Sequence, residues 1–468
     1  MNRKQRRAQD KKTGGRRIDT QAPDYAALGA KAYHKGDNLS ALEMYARAVE
    51  ANPKKHDHKV CLAHILRNVS FESFNLKIKE LITICLLEKG VDYQDLSKAW
   101  YSTIMCDPAF ILLRQLVNGK EVQQQNLQEC LGNKFLLLGL SRLTVHDVRF
   151  EKAMLHAREL SENTGFNVVF ADYCKRVEYV FCDFSAENAP YYIDDRIKTL
   201  GCSGDVVSKL VQNHYEENPY PRWSNIHVQS PPKANLSKTH NHLIAGCGTG
   251  FGVCGTAMLY PNARITAIDL SRASLTYAKG KAKELGLKNI SFYQGDILNL
   301  NSLDQKFDII ECSGVLHHMD DPLVGWKSLL AKLKEGGRMN IGLYSELGRR
   351  DVVAARAVVK EQGFTATHAS IKAAREYIAN LPDDYLAKAV MSRRDFYSLS
   401  DCRDLIFHEQ EYRFTIPQIK DALDSLGLNF NGFDKQIPSV NTLDDYHKYE
   451  QENPDTFKGM YQFWCSRS

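Results

Sequence analysis

Long apolar runs are missing from this sequence. The longest candidates, Leu81 to Leu87 and Phe135 to Leu140, fall far short of the roughly 20 residues that cross a bilayer. No apolar signal region follows Met1, so neither a membrane span nor export is expected. Paired cysteines are missing too: the 12 cysteines are scattered, with no C-x-x-C pair and no Cys/His spacing suited to zinc. That excludes a disulfide framework and a structural zinc site, and it predicts a reduced, cytoplasmic chain. No metal-ligand set is expected, since the adjacent His317 and His318 cannot easily converge on one ion and no carboxylate cluster accompanies them. A strong charge of one sign is absent from the body. The net +5 is misleading, because residues 1–17 hold eight Lys/Arg against one Asp, leaving about −2 for the remainder. Residues 1–19 are therefore predicted to be a basic, solvated tail. At 468 residues with 43% hydrophobic content, two or three globular domains are expected.

One stretch organises what is present. His242-Leu-Ile-Ala-Gly-Cys-Gly-Thr-Gly-Phe-Gly252 joins a short apolar run to glycines at 246, 248, 250 and 252. A buried parallel strand that turns at once into a helix needs residues without a Cβ where backbone crowds backbone or ligand. The helix is predicted to start near Phe251, with its free N–H groups facing the turn. The next strand candidate, Ala263 to Leu270, carries Asp269 19 residues beyond Gly250, the distance at which an α/β nucleotide fold places a carboxylate on ribose hydroxyls. A dinucleotide site would want G-x-G-x-x-G, and no such register fits Gly246, Gly248 and Gly250. Third and fourth strands are predicted at Ile290 to Asp296 and Phe307 to Cys312, the fourth followed by Ser313-Gly-Val-Leu-His-His318.

In this order the motifs from Asn241 to Tyr344 resemble the class I S-adenosylmethionine-dependent methyltransferases. The resemblance implies a seven-stranded, mostly parallel Rossmann-like α/β sheet. Further elements fit it: a helix between Ser271 and Gly286, a helix started by Asp321-Pro322 and stopped by Gly336-Gly337, and a fifth strand from Met339 to Tyr344. After a long helical insertion at about 345–415, Ile416 to Leu426 reads as helix, and Leu428 to Phe433 and Met460 to Cys465 as the last two strands. The implied cofactor is S-adenosylmethionine. Its implied contacts are Gly246, Cys247, Gly248, Gly250, Asp269, Leu270, Asp296, Ile297 and Gly314, with Asp269 on the ribose and Asp296 and Ile297 at the adenine. The family commonly has an acid where this chain has Ile244, which leaves the methionine end short of a carboxylate; the segment around Tyr220 could supply polar atoms instead.

Upstream, Tyr25, Leu28, Gly29, Ala32, Gly36-Asp37, Ala41, Tyr45, Ala48 and Pro53 fall on the spacing of a tetratricopeptide unit. One repeat cannot bury its own apolar face, so an all-α region over 20–117 is predicted, with a peptide or protein partner in its groove as one role and a plain helical shell as the other. Residues 118–210 read as helical, with an apolar run at Val177 to Phe181 and no assigned task. The methyltransferase-like part spans 211–468. His214 to Trp223 places two prolines around Tyr220, which stiffens the backbone; it is predicted to be a lid or pocket wall, or else an aromatic linker. His317 is the candidate base, because histidine titrates near neutrality, and Tyr220 is the second catalytic candidate. In the insertion, Arg394, Tyr397, Asp401, Arg403, Asp404 and His408 form a polar-aromatic run suited to substrate contact or to a solvated helix face. The expected function is methyl transfer to an O or N atom of a small molecule or protein side chain. The alternative is an adaptor that binds cofactor without turnover. Nucleic acid is disfavoured as substrate, since Cys312-Ser-Gly-Val315 stands where an Asn/Asp-Pro-Pro-aromatic turn would be expected.

Overall fold

The computed structural model describes residues 23–67, 69–177, 193–201, 204–221, 223, 226, 235–408 and 410–467. The basic tail (1–19), most of the Val177 to Phe181 run and Arg222 lie outside the described residues. Eight strands form one sheet: β1 (Lys198–Thr199), β2 (Asn241–Ala245), β3 (Arg264–Asp269), β4 (Ile290–Gln294), β5 (Phe307–Ser313), β6 (Leu333–Leu343), β7 (Leu428–Phe433) and β8 (Tyr461–Arg467). Their order is β1-β4-β3-β2-β5-β6-β8-β7. The first six run parallel, and β8 is antiparallel to both β6 and β7.

Two details differ from expectation. The sheet has eight strands rather than seven, because Lys198 and Thr199 add to the outer edge of β4; two residues are too few to show a period of two. The helix after β5 ends at Ala331, and β6 already begins at Leu333. Gly336 and Gly337 therefore lie within the strand instead of stopping the helix. Gly336 takes φ +68, and the β5–β6 register slips between Phe307 and Ile309, so the glycines serve an irregularity of the strand.

The strands position the site because β2 enters buried. Leu243 and Ala245 join the core on one face with Ile310, Met339 and Phe463, while Ile244 joins Val253, Ala257 and Ile265 on the other. Two buried faces explain the unbroken apolar run. The helices Arg350–Glu361, His368–Ala379 and Leu399–Phe407 of the insertion share their own core around Val352, Ile371 and Phe396.

The N-terminal helices begin with an antiparallel pair, Tyr25–His34 and Asn38–Ala51, capped by Asp24 and Asp37. A Cβ on Gly29 would meet the Tyr45 ring at 2.9 Å, so glycine sets that approach. One hydrophobic core continues from Ala41 to Cys174 without a break at residue 117. This region docks on the insertion through the fully buried pair of Arg375 and Glu151, 3.1 Å apart, and through Val148, which belongs to the insertion's core. No helix among the described residues is long and apolar enough to cross a membrane.

Candidate functional site

A cavity of about 420 Å³ opens at the C-terminal ends of β2, β3 and β5, where open α/β sheets bind ligands. The turn after β2 forms its floor. Gly246 has φ +72, and a Cβ there would sit 2.1 Å from Val315 Cγ2. Gly248 has φ +51, and a Cβ would come 2.9 Å from the Tyr220 carbonyl oxygen. Backbone therefore reaches the cavity where side chains would block it. Gly246 and Cys247 donate to the Ile268 carbonyl at 2.8 and 3.0 Å, tying the turn to β3. Burial pushes the Cys247 thiol well above its ordinary range, so it is neutral.

Asp269 closes β3. Its Oδ2 accepts from Gly248 N at 2.7 Å and its Oδ1 from Ser271 N at 2.9 Å, while one lone pair on each oxygen is left for a ligand. Burial pushes its carboxyl up to about 6, against the lowering effect of those N–H groups. Asp296 is buried and caps the following turn, accepting from Leu298 N at 2.9 Å. Leu270, Asp296, Ile297 and Gly314 all line the cavity. Gly250 does not line it; it caps the helix Phe251–Leu259 and lies against Ala278.

The Tyr220 segment folds over the turn. Tyr220 and Pro221 line the cavity, Trp223 Nε1 donates to the Thr249 carbonyl at 3.0 Å, and Thr249 Oγ1 donates to the Pro221 carbonyl. Burial, with Asp395 and Asp404 nearby, lifts the Tyr220 hydroxyl well above its ordinary value. His317 is placed differently from expectation. It is fully buried, stacks on Tyr344 at 3.8 Å and does not line the cavity. Burial holds it neutral. The alternation of side chains at this short turn puts its neighbour His318 in the cavity wall instead.

His318 is oriented by the insertion. Its Nδ1 lies 2.7 Å from the Gln410 carbonyl oxygen, which can only accept, so the proton sits on Nδ1 and Nε2 keeps its lone pair. Burial lowers its pKa to about 4. Tyr215 donates to Asp404 Oδ1 at 2.7 Å and lies 3.3 Å from His408 Nε2, and His408 stacks on His318 at 3.8 Å. Asp404, lifted to about 7 by burial, also lines the cavity. His214, Asp404 and His408 offer ligand atoms within 4.8 Å of one another. The hydrogen bonds oppose a metal there. Gln410 N donates to His408 Nδ1 at 3.2 Å, which puts that ring's proton on Nε2, facing Tyr215, with no lone pair to offer.

Glu311 is the residue that sequence reasoning missed. It is the register partner of Ile244 across β2 and β5, and it lines the cavity beside Gly246 and Ser313. His242 Nε2 lies 2.9 Å from its Oε1 but off line for a hydrogen bond. Strand pairing alone reveals the relation, and no spacing within the sequence carries it. Of the earlier candidates in the insertion, Asp404 lines the cavity, while Arg403 pairs with Glu217 at 2.8 Å on its outer side. A larger open cleft of about 760 Å³ runs past Asp194, Lys279 and Phe292; it holds no group of the glycine turn.

Residues 236–397 match the family model of a methyltransferase domain. An uncharacterised protein of Synechococcus is 32% identical over 220 residues, covering 43% of this chain and 52% of that protein. The ubiquinone biosynthesis O-methyltransferase of Coxiella burnetii is 29% identical over 136 residues, 28% of this chain and 57% of that one. The chain thus spans about half the length of these curated relatives. Among solved structures, PKMT2 from Rickettsia typhi in complex with AdoHcy aligns with a TM-score of 0.41 at 17% identity, over 51% of this chain and 50% of that one.

Proposed function

We propose that the chain, in which residues 236–397 match a methyltransferase domain, transfers a methyl group from S-adenosylmethionine to an O or N atom of a small molecule or protein side chain. The observation that carries this reading is Asp269: a half-buried carboxyl, fixed by the glycine turn, with acceptor capacity left toward the cavity. The cavity fits the cofactor in charge. Asp269, Asp296 and Glu311 line its cofactor side, with no lysine or arginine among the described lining residues, and the cofactor brings a sulfonium and an ammonium. When bound, it supplies a methyl group on an excellent leaving group, so the chain's work is positioning. In this reading Gly246, Cys247 and Gly248 present backbone to the methionine portion. Asp269 accepts from the ribose hydroxyls, and Leu270, Asp296, Ile297 and Gly314 surround the adenine. Glu311 takes the ammonium, in place of the acid absent at Ile244. Tyr220 and Pro221 exclude water over the turn.

The N-terminal helices are proposed as a platform for a protein partner, and nucleic acid is not the proposed acceptor. The ten described cysteines are free thiols, which supports a reducing location such as the cytoplasm. The test is calorimetric titration with S-adenosylhomocysteine and separately with NAD. Asp269→Asn removes the charge toward the ribose and keeps only one of the two oxygens that accept from Gly248 N and Ser271 N, so its melting temperature is measured alongside. It should weaken S-adenosylhomocysteine by roughly 10- to 100-fold, since a hydrogen bond to a charged group contributes about 1.5–3 kcal/mol. Unchanged affinity would remove Asp269 from the ribose. Tight NAD binding without a response to S-adenosylhomocysteine would overturn the methyltransferase reading.

A further inference from the structure

The wall contributed by the insertion and the helix Val206–Glu217 has a polarity of its own. Asp404 Oδ1 is taken by the Tyr215 hydroxyl. Its Oδ2 has no partner among the described residues, yet the residue lines the cavity and is only 5% exposed. His318 presents Nε2 with its lone pair, because Nδ1 is committed to Gln410. The arginines on this side pair away from the cavity and do not line it: Arg349 with Glu411 and over Tyr344, and Arg356 with the His408 carbonyl at 2.6 Å and Glu411 at 3.6 Å. What faces the cavity here is therefore a carboxyl oxygen, an acceptor once a cation beside it keeps the group ionised, and an imidazole lone pair.

That pattern sorts acceptor chemistry. A phosphate or carboxylate would meet Asp404 with no cation to offset it, and leaving like charges together in a buried site is costly. A hydroxyl has one hydrogen to give and would leave one of the two acceptors unmatched. An ammonium group carries three donors and a positive charge, and satisfies both. Resting on the methyltransferase reading, we propose that the methyl acceptor is a primary amine, bound as its ammonium form by Asp404 and His318. The bound ammonium gives up one proton to solvent, with His318 Nε2 as its relay and not its resting place. The freed nitrogen lone pair then forms the new N–C bond as the C–S bond breaks, and its electron pair stays on sulfur. The product is a methylated amine that keeps the positive charge, with a neutral thioether and one proton released per methyl transferred. Stacking on His408 and the Gln410 carbonyl keep His318 aimed throughout.

The experiment uses the full chain with S-adenosylmethionine tritiated on the methyl group and an extract of its own host cells. Half of the extract is first treated with acetic anhydride, which blocks amines, and then with hydroxylamine, which restores hydroxyls. Blocking should reduce labelling at least tenfold, and size fractionation then tells whether the amine belongs to a protein or to a small metabolite. Undiminished labelling after blocking would overturn the proposal. Asp404→Asn should reduce labelling at least tenfold while its affinity for S-adenosylhomocysteine stays within about twofold of wild type, and Asp404→Glu should recover part of the loss. Wild-type labelling by Asp404→Asn would also overturn it. Should that variant fail to fold, His318→Gln provides the same comparison. A wild-type protein that neither binds S-adenosylhomocysteine nor labels anything overturns the methyltransferase reading itself, together with the amine that rests on it.

Discussion

Replacing Glu311 by Gln removes one negative charge and changes almost no volume. The side chain is 28% exposed, so its field is only partly screened. Two unit charges about 4 Å apart interact by about 4 kcal/mol at an effective dielectric near 20. Desolvation of both groups and the neighbouring His242 offset part of this, which brings the expectation near the roughly 1.5–3 kcal/mol of a hydrogen bond to a charged group. Affinity for S-adenosylhomocysteine should therefore fall about 10- to 100-fold. The control is 5′-methylthioadenosine, which has the same nucleoside and thioether but no amino-acid end. Its affinity should stay within about twofold, because Asp269 and Asp296 hold what remains. Calorimetry on both ligands with both proteins gives four dissociation constants. Equal weakening of both ligands would mean that Glu311 shapes the pocket rather than holding the ammonium. No weakening of either would remove it from the site.

Much of the architecture was legible because β2 runs into spaced glycines and β3 ends in an acid. The run Leu243-Ile-Ala245 followed by spaced glycines, Asp269 at the end of β3 and Asp296 just past β4 are local signals, and Gly246, Gly248, Asp269 and Asp296 line one cavity. What stayed hidden depends on pairing between distant segments. Glu311 gained meaning only beside Ile244. His318 displaced His317 because Gln410, 92 residues on, fixes its ring. Asp404 stood out as part of a polar run, but its exposure to the cavity required Tyr215, 189 residues earlier. The start of β6 at Leu333 was misplaced for the opposite reason: a helical spacing of leucines continued by chance across a boundary that β5 pairing decides.

Three further outcomes test the packing and the electrostatics. Gly246→Ala places a Cβ 2.1 Å from Val315 Cγ2 at φ +72; it should lower the melting temperature and abolish S-adenosylhomocysteine binding, and adding Val315→Ala should recover part of the stability but not the roughly 1 kcal/mol or more of backbone strain. Arg375→Met strands Glu151 with both side chains at 0% exposure; a loss of about 3–5 kcal/mol in denaturant unfolding is expected, largely reversed by Glu151→Leu, and an unaffected single variant would refute the docking role of the pair. Asp404→Asn should make the protein more stable, in a pH-dependent way. Burial raises the Asp404 carboxyl from 3.8 to about 7, so the folded chain takes up its proton more readily than the unfolded one. The carboxyl therefore costs nothing below about pH 4, costs progressively more as pH rises from about 4 to 7, and carries its full penalty above that. At about 1.4 kcal/mol per pKa step, the penalty at pH 8 is on the order of 2–4 kcal/mol. The variant's melting temperature should exceed that of wild type by several degrees at pH 8, and the gap should narrow through pH 5 and close near pH 4. A gap independent of pH would show that Asp404 is not ionised against its environment in the folded chain. A gap that closes as expected, in a variant that also loses labelling, means that the chain tolerates a destabilising carboxylate for the sake of what it binds.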